Sequence, residues 1–122
     1  MNPADIKKGW WYIVAGQGPL LCNEAPDLSR LVDRTDKYGL HVAAVPAELL
    51  GVGFTTARYY QEEFHCPPPS NYWASAGLVV RVVDRGYLEA VIAQAILRLG
   101  ADAGIVLLSR AALVWLDGGG AV

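Results

Sequence analysis

The chain has 122 residues, with 10 Lys and Arg against 12 Asp and Glu, for a net charge of −2. That length suits one domain. Hydrophobic residues at 53% and charged residues at 18% exclude an intrinsically disordered chain, and the slightly acidic balance lacks the clustered cations that a phosphate-backbone binder needs.

Near the start, Lys7 and Lys8 precede an apolar patch that carries Trp10, Trp11 and Tyr12 and ends at Gly16. It is too short and too aromatic for the apolar region of a signal peptide. No run of about 18 uninterrupted apolar residues follows, so no membrane span is expected, and the chain is read as cytoplasmic. Trp10 to Ala15 predicts a strand, Gly16-Gln17-Gly18-Pro19 a turn, and Leu20 to Cys22 the return strand. Pro26 suits the first turn of a helix. Leu28, Leu31 and Val32 then predict a short amphipathic helix that stops near Gly39. Leu40 to Val45 reads as a strand before Pro46, and Ala47 to Leu50 as one helical turn ending at Gly51 or Gly53. Residues 54–65 read as a helix capped by Thr55 or Thr56, with Ala57, Tyr60 and Phe64 on one side and Glu62 and Glu63 on the other. Pro67-Pro68-Pro69 forces an extended segment.

The last third carries the clearest signals. Residues 78–83 alternate as a strand. Leu88, Val91, Ile92, Ala95, Ile96 and Leu99 form one stripe at the helical period over 87–99, with Asp84 placed as a cap and Gly100 as a stop. Ile105-Val106-Leu107-Leu108 matches a central strand covered on both faces. Leu113 to Leu116 reads as a final strand returning beside it. The fold class is therefore α+β: a single compact domain over 1–122, with a mixed sheet of four to six strands, two or three helices and a C-terminal β-α-β-β unit.

Motifs that carry chemistry are scarce. The chain has no phosphate-cradling Gly-x-x-x-x-Gly-Lys loop, no Gly-x-Gly-x-x-Gly, no His-Glu-x-x-His and no Cys-x-x-Cys. His41, His65, Cys22 and Cys66 are the available zinc ligands, but they lack regular spacing, and the adjacent His65 and Cys66 point to opposite sides of an extended segment. Cys66 with His41 as base is a nucleophile pairing without a local signature. Glu62 and Glu63 read as a solvated helix face. No catalytic residue, metal or cofactor is assigned.

Aromatic residues say more. Four Trp and six Tyr are present, clustered at Trp10-Trp11-Tyr12, Tyr59-Tyr60 and Tyr72-Trp73. Consecutive rings in a strand face opposite sides, so either both sheet faces are covered or a large ring is exposed. Trp and Tyr dominate interface hot spots. These seven residues are the candidate binding surface of a non-enzymatic protein-binding module of the inhibitor, immunity or assembly-factor type. Its partner would be another protein or, by self-association, a second copy. Stacking on single-stranded nucleic acid would need a basic groove, and Lys7, Lys8 and Arg58 do not supply one.

The alternative is a small-molecule or nucleotide-binding domain. Tyr38-Gly39-Leu40-His41-Val42-Ala43, Leu99 to Val106 and Leu113 to Leu116 together resemble core strands of small ADP-ribosyltransferase-like domains, in short pieces spread across about half of the chain. The resemblance implies a nucleotide ligand, NAD. The family's Arg or His on the first strand has no counterpart in Trp10 to Val14, and its Glu near the last strands meets only Asp102 and Asp117.

Overall fold

The computed structural model describes residues 1–58 and 71–120. A five-stranded sheet forms the centre. Its strands are β1 (Trp11–Val14), β2 (Gln17–Glu24), β5 (Gly51–Thr55), β6 (Tyr72–Ser75) and β7 (Val79–Val82), in the spatial order β6-β5-β2-β1-β7. Two short strands, β3 (Arg34–Thr35) and β4 (His41–Val42), pair as a separate ribbon. Two helices close the chain: α1 (Arg85–Leu99) and α2 (Gly104–Asp117). Every ladder among the described residues is antiparallel. The α+β class and the five-stranded sheet match the sequence reading.

The C-terminal β-α-β-β expectation is corrected to β-α-α. Ile105 to Leu108 and Leu113 to Leu116 are not strands; both lie in α2. A continuous apolar run looks the same whether it is a strand covered on both faces or a helix covered nearly all round. The parallel pair that a βαβ unit would supply disappears with this correction. So does the likeness to ADP-ribosyltransferase strands over Leu99 to Val106 and Leu113 to Leu116.

Smaller differences have local causes. The first turn is tighter than expected: Gly16, at φ +77°, makes it, and Gln17 already belongs to β2, with Pro19 paired to Ile13. Leu28–Leu31 forms a 3-10 turn, capped by the Asp27 carboxylate, rather than a longer helix. Leu40 to Val45 contributes only His41 and Val42 as strand. The helix expected over 54–65 begins later, because Phe54 and Thr55 finish β5; its remainder lies outside the described residues. The single turn at Ala47–Leu49 and helix α1 agree with expectation. Asp84 caps α1 through its carboxylate, which accepts from the Tyr87 amide at 2.9 Å, and Gly100 ends it at φ +89°.

Register decides what each face of the sheet holds. Tyr12 opposes Leu20, Cys22 opposes Phe54, and Val52 opposes Ala74, so these side chains share one face. All are buried. The N-terminal 3-10 turn (Pro3–Asp5) serves this face: the Tyr12 hydroxyl donates to the Asp5 carbonyl at 3.2 Å and accepts from the Lys7 amide at 2.8 Å. Trp11 opposes Leu21, and Ile13 opposes Pro19, on the other face, where α2 lies. The first turn of α2 sits close because β2 carries Gly18. A β-carbon at Gly18 would approach the Ile105 side chain to 2.6 Å. Burying a side chain such as Leu108 or Phe54 contributes about 2 to 3 kcal/mol each.

Candidate functional site

The seven aromatic candidates divide by depth. Tyr12 is fully buried and Trp11 nearly so. Both are therefore core residues, because α2 covers one sheet face and the N-terminal turn the other. Tyr12 in particular is a core residue rather than an exposed ring, and burial raises its phenol pKa above the usual 10.0. Trp10, at the entry to β1, is half-buried. Its ring centroid is 6.2 Å from that of Trp115, and the Lys7 ammonium lies 4.6 Å above it. Tyr72 is half-buried against Phe54, with centroids 6.5 Å apart. Trp73 is 54% exposed. It opposes Gly53 across the β5–β6 ladder and rests on Gly51, where a β-carbon would meet its ring at 3.4 Å. Tyr59 and Tyr60 lie outside the described residues.

The described sulfur and imidazole candidates, Cys22 and His41, stand apart, one buried in the sheet and the other exposed on the ribbon. His41 stands exposed on the ribbon, its Nε2 3.2 Å from Asp33 Oδ2. Cys22 is a free thiol inside the sheet, where burial pushes its pKa up to about 11. Such a thiol is inert at neutral pH. His65 and Cys66 lie outside the described residues. Among the described residues no group of three His, Cys, Asp or Glu is arranged to hold a metal.

Two surfaces emerge that the sequence reading did not single out. The first is the ribbon. Residues 32–44 bury almost nothing, yet their backbone is well tied. The Asp36 carboxylate accepts from the amides of Tyr38 at 2.8 Å and Leu40 at 2.9 Å, and Gly39 turns the chain at φ +81°. The Asp33 carboxylate accepts from the Ala44 amide, and the Val45 amide donates to the Arg30 carbonyl at 2.8 Å. This frame holds Tyr38 75% exposed and Leu40 65% exposed, with Val32 and Leu49 also open to solvent. At its base, Asp27 and Arg30 share a hollow of about 290 Å³ with Trp73 and Glu24. Two hydrogen bonds from Ser29 hold the Asp27 carboxyl below the usual carboxylate range.

The second surface is a groove of about 570 Å³ between α2 and the β1–β2 hairpin. Trp11 and Leu21 form its floor; Leu107, Ala111, Val114 and Trp115 form the helix wall, with Arg110 on the same stripe. Those α2 positions recur at the helical period, so α2 carries one stripe for the core and a second for the groove. The core stripe holds Val106, Leu108, Ser109 and Ala112. Ser109 is satisfied within the helix, its hydroxyl donating to the Ile105 carbonyl at 2.7 Å. Past the helix, the chain folds back on Trp115. The Gly120 amide donates to the Trp115 carbonyl at 3.0 Å, and a β-carbon at Gly120 would lie 2.5 Å from the indole.

The signal for this groove was present in the sequence as the polarity of residues 104–117, where only Ser109, Arg110 and Asp117 are polar. No protein-family model matches the chain, and no curated protein or solved structure matches it either. No helix among the described residues is long and apolar enough to cross a membrane.

Proposed function

We propose that the chain is a non-enzymatic protein-binding module of the inhibitor, immunity or assembly-factor type, and that the β3–β4 ribbon with the neighbouring Trp73 is its contact surface. The observation that carries this reading is the ribbon tip, where Tyr38 and Leu40 are held outward by a hydrogen-bonded turn and bury little of their own surface. Single exposed apolar side chains are ordinary, whereas adjoining ones on a projecting element mark contacts. A turn already ordered before binding lowers the entropic cost of association. Aromatic anchors of this kind carry most of an interface's energy, and Trp73 at the ribbon's base is the one candidate aromatic that is well exposed among the described residues.

The test pairs partner capture from the native host with light scattering over a range of concentrations. The variant Tyr38→Ala with Leu40→Ser should stay folded and lose about 2 kcal/mol or more of partner affinity. Where the partner is a second copy, the same variant should remain monomeric at concentrations where the parent chain dimerises. An unchanged partner set together with an unchanged mass would remove the ribbon from the interface.

A further inference from the structure

The groove under α2 calls for a different occupant from the ribbon. Its walls are two indoles and four aliphatic side chains, and Arg110 is the one charged residue among the described residues that line it. Two other arginines are engaged: Arg81 pairs with Asp84, and Arg85 with Asp117 and Glu89. Among the described residues no carboxylate pairs with Arg110. A guanidinium is a planar donor fork that matches a carboxylate with two parallel hydrogen bonds. From Leu107 to Val114 the wall spans seven residue-to-residue steps, about 10 Å along the helix axis, comparable to an extended acyl chain of medium length. A volume of about 570 Å³ falls within the usual range of small-molecule sites, which are mostly apolar with a few placed polar groups.

We infer that this groove binds a small amphipathic carboxylate, its hydrocarbon chain lying between the Trp11 and Trp115 indoles and the α2 wall, and its carboxylate held by Arg110. Both parts of the ligand have a counterpart: apolar surface for the chain and, for the head, a cation with no carboxylate partner among the described residues. An uncharged hydrocarbon of the same length would fill the groove but leave Arg110 unused. A dianionic head would bring a second charge to a site with one cation.

The test titrates the full chain with decanoate and with decanol below their aggregation concentrations, followed by tryptophan emission and calorimetry. Decanoate should bind saturably at one site, about tenfold more tightly than decanol. Arg110→Ala should lower decanoate affinity by about tenfold and leave decanol binding unchanged. Ala111→Phe, which narrows the groove, should weaken both. Arg110 is exposed on a helix, so its replacement by Ala leaves the fold in place, and circular dichroism checks this. Equal affinities for decanoate and decanol, or decanoate binding indifferent to Arg110→Ala, would overturn the assignment of the head group. Absence of saturable binding, or binding indifferent to Ala111→Phe, would overturn the groove itself. Neither result bears on the ribbon, which is tested separately by partner capture.

Discussion

The two helices are adjacent, antiparallel and nearly equal in length, at 15 and 14 residues, yet they are built on different plans. Helix α1 rests mainly on α2, and leaves Leu97 87% exposed on its far side. Helix α2 lies between α1 and the sheet and also walls a groove, so it has apolar work on nearly every side. The difference extends to their ends. Asp84 caps α1 with its carboxylate, whereas Ala103 at the start of α2 offers no side-chain cap. A helix gripped by neighbours does not depend on local signals to begin or to persist, because tertiary packing supplies most of its stability.

This contrast can be broken most sharply by deleting core atoms. Leu108→Ala in α2 should cost about 3 kcal/mol in urea unfolding, while Leu97→Ala in α1 should change stability by less than about 0.5 kcal/mol. Similar losses at both positions would show that α1 is also gripped on its outer side. Next in size is crowding at the start of α2. A β-carbon at Gly104 would stand 3.1 Å from the Ala57 carbonyl oxygen, so Gly104→Val should destabilise by about 1 to 3 kcal/mol. Capping gives the smaller effects. Asp84→Ala should destabilise the chain by about 1 kcal/mol, and Ala103→Asp should gain somewhat less, about 0.5 kcal/mol, because the second helix is already held in place. Equilibrium unfolding measures both.

A separate effect, confined to alkaline solution, concerns the buried thiol of β2. The Cys22 thiol has a pKa raised to about 11 in the fold, against an ordinary 9.0. Between these values the unfolded chain releases a proton that the folded chain keeps, so the unfolded state gains and stability falls as pH rises from 9 to 11. Cys22→Ala should blunt that decline in unfolding curves taken across this window. Well below pH 9 the thiol should contribute no slope.

The same contrast explains what could be read from the residues alone. Helix α1 was legible because Leu88 to Leu99 alternate with Glu89, Gln94 and Arg98 and are bracketed by Asp84 and Gly100. Helix α2 was not, because burial on several sides leaves too few polar positions to reveal a period. Ser109 and Arg110 separate two apolar runs, but Ser109 bonds back within its own helix and Arg110 is an exposed position on the groove stripe of that helix. Length argued for the correct answer, since 104–117 holds no proline, and no glycine after its first residue. In the sheet, the β1–β2 hairpin was legible from its glycines and alternating rings. The depth of Trp11 and Tyr12 was not, because it depends on Asp5, Lys7 and α2, all distant in pattern. The ribbon escaped notice because Asp36, whose carboxylate organises Tyr38 and Leu40, acts through backbone amides that leave no mark in a hydrophobic pattern.

The position of the Trp115 ring is set partly by something that carries no side chain. Gly120 lies flat against the indole, and its hydrogen atom occupies the space a methyl group would claim. The mouth of the α2 cavity is thus shaped by backbone contour, and a single added carbon at 120 should tilt the Trp115 ring and re-cut that opening with no substitution in the wall itself. Optical probes of Trp115 would register such a change long before thermal melting did.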